Sequence, residues 1–549
     1  MKFSNSFLVT TMFLLASCGE DEPSKDSGNP NASRFEAAIR SMEKSRDEAD
    51  RQLFKDEKEA QRHETVFVRL WDEMRTGQPF IALENLSFGT ITLPQDRETK
   101  SLSFGPYPIE QVVFAGRKDV LGAETARKVL LSAKSAGWRI VQSEWHHDVF
   151  VPAKDEMQAS SEVSFEIHAS HVGRSLRSIL KGKLDVRWSA TDDASGVPRP
   201  DRIAVKEMES LSARGPTPFR EIAVIDPVEF ARPASCSPLL AQDIDGDGLS
   251  ELIVVGANLL FRNGGGGSFE REDFLTFPYH APSDAGILAD FTGDGNLDFI
   301  GASSRDLKLL LYEGDTAGRF TKPSRACFQG NLMHPQVLTA GDVDRDGDLD
   351  LFLGQYRAPY LDGSMPTPFH DANDGHPDFL LLNNGSGTFR DGTEEARFAS
   401  KRNRRTYGAS FVDFDDDGDL DLAVTADFAG LDLYANDGKG RFLDVADKWA
   451  PQRRGFGMSH VIGDINGDGL QDLYFVGMSS TTARRLDGLG IVREGFEDYS
   501  SMRAPMTFGN RLLMGLPRGG FRQSRVASKV ARTGWSWGSA AEDFDNDGD

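Results

Sequence analysis

The chain has 549 residues, 39% of them hydrophobic and 27% charged, with a formal net charge of −23. That length and apolar content exclude a disordered chain and allow several domains with real cores; the acidity excludes nucleic acid as a partner, since phosphate binding needs a basic face. Gly is abundant at 55 residues, which favours turns and short strands, and three cysteines (Cys18, Cys236, Cys327) are too few for a disulfide framework or a zinc ribbon.

At the N-terminus, Met1-Lys2 precedes an apolar run from Phe7 to Ala16, too short to span a bilayer as a helix. Leu15-Ala16-Ser17-Cys18 resembles the lipobox of bacterial lipoproteins. The resemblance implies a signal peptide over 1–18 and a lipidated Cys18. Residues 19–33, acidic and rich in Ser, Pro and Gly, read as a flexible tether. The expectation is an exported bacterial lipoprotein, at the outer membrane or cell surface, held by a lipid anchor only. In that oxidising compartment Cys236 and Cys327 either pair or remain buried thiols.

Residues 34–76 read as helical. Ser33-x-x-Glu36 is a capping box, and Phe35, Ile39, Met42, Phe67, Leu70 and Trp71 supply apolar positions. The polar stretch around 43–63 predicts a solvated helix face. Residues 77–228 read as a small α+β domain. Val163, Phe165 and Ile167, and then Leu184, Val186 and Trp188, alternate with polar residues as half-buried antiparallel strands do. A helix is predicted near Ala123–Ala136. A curved sheet covered by helix follows, with a cystatin-like or nuclear-transport-factor-like cone as one candidate. His146 and His147 are adjacent in a predicted strand, so they point to opposite faces and do not share one metal.

From Asp243 a nine-residue pattern recurs. Positions one, three, five, seven and nine are Asp243, Asp245, Asp247, Leu249 and Glu251 in the first copy, and Asp290, Thr292, Asp294, Asn296 and Asp298 in the second. The third has Asp342, Asp344, Asp346, Asp348 and Asp350; the fourth has Asp413, Asp415, Asp417, Asp419 and Asp421. The fifth has Asp464, Asn466, Asp468, Leu470 and Asp472, and a sixth begins Asp543, Asp545, Asp547, Asp549. Calcium takes six to eight hard oxygens. Positions one, three and five supply side-chain oxygens, position seven a backbone carbonyl and position nine a closing carboxylate. Glycine at position six permits the turn between them. An EF-hand would need Glu at position twelve, where this chain has Val254, Gly301, Leu353, Val424 and Phe475. Each loop is therefore expected to feed a strand. The pattern predicts up to six Ca²⁺ sites. The second should be the weakest for its Thr292, the third and fourth the strongest, and the sixth is incomplete. Position two is always apolar and is expected to plug each loop into the core.

A Gly-rich turn ending in Phe recurs between the loops, as in Asn263 to Phe269, Gly314 to Phe320, Asn383 to Phe389, Asn436 to Phe442 and Gly515 to Phe521. Each unit of about fifty residues thus reads strand, loop, strand, strand, hairpin, strand, which is a propeller blade. Insertions at Gln355–His376 and Ser479–Pro505 lengthen two units. The D-x-D-x-D-G-x-x-D loops with N-x-G-x-G-x-F hairpins resemble FG-GAP/VCBS repeats, the calcium-binding blades of integrin α-subunit heads. The stretch from Thr533 through Trp535 and Trp537 to Asp543 is similar to the cartilage acidic protein/UnbV group. The resemblance implies a mainly β chain whose residues 230–549 form a seven-bladed β-propeller with the loop carboxylates as calcium ligands. This chain departs from the group by stopping within the sixth loop, which leaves that propeller incomplete at its C-terminus.

No HExxH, GxSxG, P-loop or CxxC motif occurs. The expected function is therefore a calcium-bearing module that binds or adheres to a protein or glycan, and not an enzyme. The alternative is a hydrolase or lyase on polysaccharide or phosphoester, working at the Gln355–His376 insertion or around His146 and His147.

Overall fold

The computed structural model describes residues 48–542 apart from 105–106, 217–218, 220, 222–236, 277–284, 304–306, 360–365, 367, 493–496 and 534–535. Cys18, the tether, the first part of the predicted helix, Cys236, Trp535 and the sixth loop (Asp543, Asp545, Asp547, Asp549) lie outside the described residues. The chain falls into two compact units, Met1–Lys55 and Asp56–Asp549; of the first, residues 48–55 are described and are mostly helical. No helix among the described residues is long and apolar enough to cross a membrane.

Three helices, α1 (Lys55–Arg75), α2 (Pro79–Asn85) and α3 (Ala123–Ser135), accompany a six-stranded sheet. Its strands are β1 (Thr90–Phe104), β2 (Tyr107–Gly122), β3 (Trp138–Val151), β4 (Ser160–His171), β5 (Leu176–Trp188) and β6 (Pro200–Arg214). They run in the order β1-β2-β6-β5-β4-β3 with antiparallel neighbours, and Thr90–Thr92 of β1 also pairs in parallel with Arg202–Ala204 of β6. Phe67, Leu70 and Met74 of α1 share one core with Trp145, Val163, Phe165, Val186 and Trp188.

The polar middle of the helix departs from its expected solvated state. Glu57, Ala60 and His63 are buried. Helix α4 (Thr481–Gly488), from the second long insertion, packs against β3. Its Arg485 is wholly buried and donates to Glu57 Oε1 at 2.8 Å, to both oxygens of Glu64 at 2.9 Å and to the His147 carbonyl at 2.8 Å. Burial of Glu57 is tolerated here because the Arg485 guanidinium supplies a paired, hydrogen-bonded countercharge.

Beyond residue 238 the described strands form five four-stranded antiparallel sheets, each from consecutive segments. The first holds β7 (Leu239–Gln242), β8 (Glu251–Val254), β9 (Leu259–Asn263) and β10 (Phe269–Asp273). The second holds β11 (Ala285–Ala289), β12 (Asp298–Ser303), β13 (Lys308–Tyr312) and β14 (Arg325–Phe328). The third holds β15 (Pro335–Gly341), β16 (Asp350–Gln355), β17 (Phe379–Leu382) and β18 (Arg390–Asp391). The fourth holds β19 (Arg405–Val412), β20 (Asp421–Asp427), β21 (Gly430–Asn436) and β22 (Phe442–Asp444). The fifth holds β23 (Gly457–Gly463), β24 (Asp472–Gly477), β25 (Arg511–Gly515) and β26 (Phe521–Gln523). The first strands lie side by side, β11 by β15, β15 by β19 and β19 by β23.

Each pair of successive sheets encloses its own core. Leu351 and Leu353 pack toward the second sheet with Ile300 and Leu311, whereas Phe352 packs toward the fourth with Leu422 and Val424. Burial on both faces explains why these strands read as unbroken apolar runs and do not alternate. Cys327 lies in such a core as a free thiol, which burial pushes up to about 12.

Candidate metal loops

All five described loops join the first strand of a sheet to its second, and position nine is always the first residue of that second strand. Position six has φ between 83° and 95° in every copy, a left-handed value that glycine adopts without strain. Position four is also left-handed, including Arg345 at 62° and Asp416 at 60°, a regularity that sequence reading missed because only three of the five residues there are glycine.

The backbone of each loop folds around the position-one carboxylate. Its Oδ2 accepts the position-six N–H in all five copies, at 2.8 Å in Asp243 and Asp290, 3.1 Å in Asp342, 2.9 Å in Asp413 and 2.7 Å in Asp464. The position-five carboxylate accepts the position-seven N–H at 2.8–3.0 Å, from Asp247 through Asp468. The position-nine carboxylate is buried and serves two segments. One oxygen takes the position-two N–H; the other takes the first N–H of the Gly-rich hairpin, as in Asp350 with Val343 at 3.3 Å and Asn383 at 2.9 Å. Glu251 with Asn263, Asp298 with Gly314, Asp421 with Asn436 and Asp472 with Gly515 repeat the second bond. Burial, against these bonds, pushes the Asp350 and Asp421 carboxyls up to about 7 and raises Asp298 and Asp472.

Three loops bring ligand atoms together in a way that could hold a metal ion. In Asp243/Asp245/Glu251, Asp342/Asp344/Asp350 and Asp413/Asp415/Asp421, one oxygen from each residue lies within 4.8 Å of the others. Positions one, three and nine converge; position five is not in these groups. Asp344 Oδ1, Asp413 Oδ1 and Asp415 Oδ1 are buried with no hydrogen-bond partner among the described residues. A buried carboxylate oxygen without a donor is costly, and a hard cation removes that cost. The second and fifth loops lack a carboxylate at position three: Thr292 stands in one, and Asn466 in the other donates to Asp472 at 3.3 Å. In the first loop Asp245 is paired with Arg262 at 3.1 Å, a competitor for the cation that the spacing did not reveal. Arg345 of the third loop pairs with Asp419 of the fourth and donates to its Gly418 carbonyl.

The two recurring motifs meet across sheets. Position two of one loop packs with the hairpin phenylalanine of the next sheet: Ile244 with Phe320, Phe291 with Phe389, Val343 with Phe442, and Phe414 with Phe521. The Phe291 and Phe389 rings meet edge to face at 6.0 Å, and those of Phe414 and Phe521 at 5.4 Å. Asn383 and Asn436 also donate side-chain N–H bonds to the Phe291 and Val343 carbonyls at 3.0 and 2.8 Å. Ile465 departs from the expected plugging, because it is 48% exposed.

Residues 290–353 and 413–475 match the family model of the FG-GAP-like repeat. These segments are FG-GAP-like repeats. Each runs from position one of one loop through the loop of the following sheet and into its second strand, so the two matches take in the second to fifth loops. No curated protein matches the chain.

On the six-stranded sheet, His146 contacts Glu144 at 3.3 Å while the buried His147 bonds Ser161 at 2.7 Å. The two imidazoles therefore have separate partners and form no common centre.

Proposed function

We propose that the FG-GAP-like array is a calcium-stabilised, propeller-like binding module of the cell surface, working by recognition and not by catalysis. The observation that carries this reading is the convergence of positions one, three and nine with buried, donorless oxygens at Asp344, Asp413 and Asp415. Each ion would be held by side chains at positions one, three, five and nine and by the carbonyl of position seven. It would offset the negative charge of the converging carboxylates and stiffen the joint between loop and hairpin. Near-identical sites repeated along a row suit a scaffold, since catalysis needs one site unlike the rest.

Five sheets of four consecutive strands, with first strands side by side, support blades arranged about an axis, of which the seven-bladed ring is the fuller reading. The helix–hairpin–helix–strand order of residues 77–228, preceded by α1, and the β1-β2-β6-β5-β4-β3 sheet support the nuclear-transport-factor-like cone for that segment. The lipobox-like Leu15-Ala16-Ser17-Cys18 supports export and a lipid anchor at Cys18. Calorimetric titration of chelator-treated protein with Ca²⁺, beside thermal melts with and without chelator, tests the central claim. Uptake of several ions and a higher melting temperature are expected. No uptake and superimposable melts would refute it.

A further inference from the structure

Four aromatic rings form a row at the strand ends away from the acidic loops. His334 precedes β15, Tyr356 follows β16 and Tyr407 lies near the start of β19, whereas the loops leave from the other ends of these strands. His334 meets Tyr356 edge-on at 6.3 Å, Tyr356 lies 4.2 Å from Tyr407 with their planes tilted by 30°, and Tyr407 meets Trp537 edge-on at 6.0 Å. The row is held in place. The Tyr356 N–H donates to the His334 carbonyl at 2.9 Å, and its hydroxyl donates to the buried Asp427 at 3.3 Å. Trp537 is 55% exposed, so its ring contributes little to any core. Next in sequence to Tyr356, Arg357 donates to the Asp374 carbonyl at 2.9 Å and, among the described residues, meets no carboxylate.

We propose that this row binds an oligosaccharide carrying a uronic acid. Tyr356 and Tyr407 cover each other, so the exposed rings of Trp537 and His334 are the ones left to pack on the C–H faces of sugar rings, and the polar edge of His334 suits a hydroxyl group. Interleaved polar atoms disfavour a lipid or an apolar helix, which needs a continuous apolar groove. Arg357, the neighbour of Tyr356 in sequence, would be the cation for the sugar carboxylate, since a planar guanidinium matches a carboxylate in two-point contact. On a chain of net charge −23 an anionic ligand requires such a local cation. The inference names the ligand class of the binding module proposed above and rests on that reading.

The test is calorimetric titration of the full chain with a glucuronate-containing tetrasaccharide and, separately, a neutral tetrasaccharide of N-acetylglucosamine. The uronate ligand should bind more tightly. Trp537→Ala should weaken both ligands by about tenfold or more, with Trp537→Phe recovering part of the loss. Arg357→Gln should bring the uronate ligand down to the neutral level, and circular dichroism checks that each variant is folded. No binding of either sugar by the folded chain, or binding unchanged in Trp537→Ala, would overturn the proposal. Ca²⁺ uptake without sugar binding sinks this inference alone. Sugar binding by a protein that takes up no Ca²⁺ sinks only the calcium reading.

Discussion

Arg485 Nη2 donates to Glu57 Oε1 at 2.8 Å across 428 positions of sequence, with both side chains buried. The pair fastens α1 and the six-stranded sheet to the insertion of the fifth four-stranded sheet. Arg484 and Arg532 flank it by pairing with Asp148 at 2.8 and 3.2 Å. Replacing Arg485 by Met leaves the buried Glu57 and the half-buried Glu64 without their cation. The expected loss is roughly 3–5 kcal/mol of stability, read by urea denaturation. Adding Glu57→Gln and Glu64→Gln to that variant should recover part of it. An Arg485→Met protein as stable as the parent would show that the buried pair contributes nothing.

Positions nine and five should respond differently to mutation. Asp350→Ala removes the acceptor for the Val343 and Asn383 amides. It should cost roughly 2–4 kcal/mol even in chelator, because two buried N–H groups lose their partner. Asp346→Asn, on the exposed side of the same loop, should change the chelated protein by less than about 0.5 kcal/mol while reducing the shift produced by Ca²⁺. Equal effects of the two substitutions in chelator would contradict the double role of position nine.

The loops should differ in affinity for a reason visible at position three. Thr292→Asp adds a carboxylate to the second loop, and Arg262→Gln frees Asp245 in the first. Each should tighten one site by roughly tenfold, resolved as a change in one class of sites in a Ca²⁺ titration. The third and fourth loops should fill first.

Acid should erase the benefit of the cation. Asp350 and Asp421 titrate near 7 in the folded chain, against an ordinary value of 3.8. Between those values the folded state binds more protons than the unfolded one, so the cation-free protein loses stability as pH rises through the window. Ca²⁺ favours the ionised carboxylates. The difference in melting temperature between Ca²⁺ and chelator should therefore be largest near pH 8 and shrink toward pH 5. His147, held near 3 by burial, contributes the opposite slope, stability rising with pH below 6.5, in both conditions and drops out of the difference. A gap that is constant with pH would count against cation binding at these residues.

Local patterns were readable before any coordinates. The Asp-Gly loops and Gly-Phe hairpins each depend on a few neighbouring residues, and both stand where their spacing placed them, between the first and second and the third and fourth strands. The partnership of Phe291 with Phe389 was not readable, because it joins two motifs about a hundred residues apart. Arg485 was hidden for the same reason. Its partners lie in a helix whose charge suggested a solvated face, and only the approach of a distant cation makes burial of Glu57 tolerable. Strands β1 and β2 carry long polar stretches such as Gln95–Lys100 with no clean alternation, so period-two reading passed over them.

The joint between position two and the following hairpin also sets how disturbance travels. A sheet inside the row shares one joint with each neighbour, and no described joint skips a sheet. Stability along the row then behaves as a sum of unit and nearest-neighbour contributions. Damage to one loop is felt by the adjoining hairpin and fades beyond it.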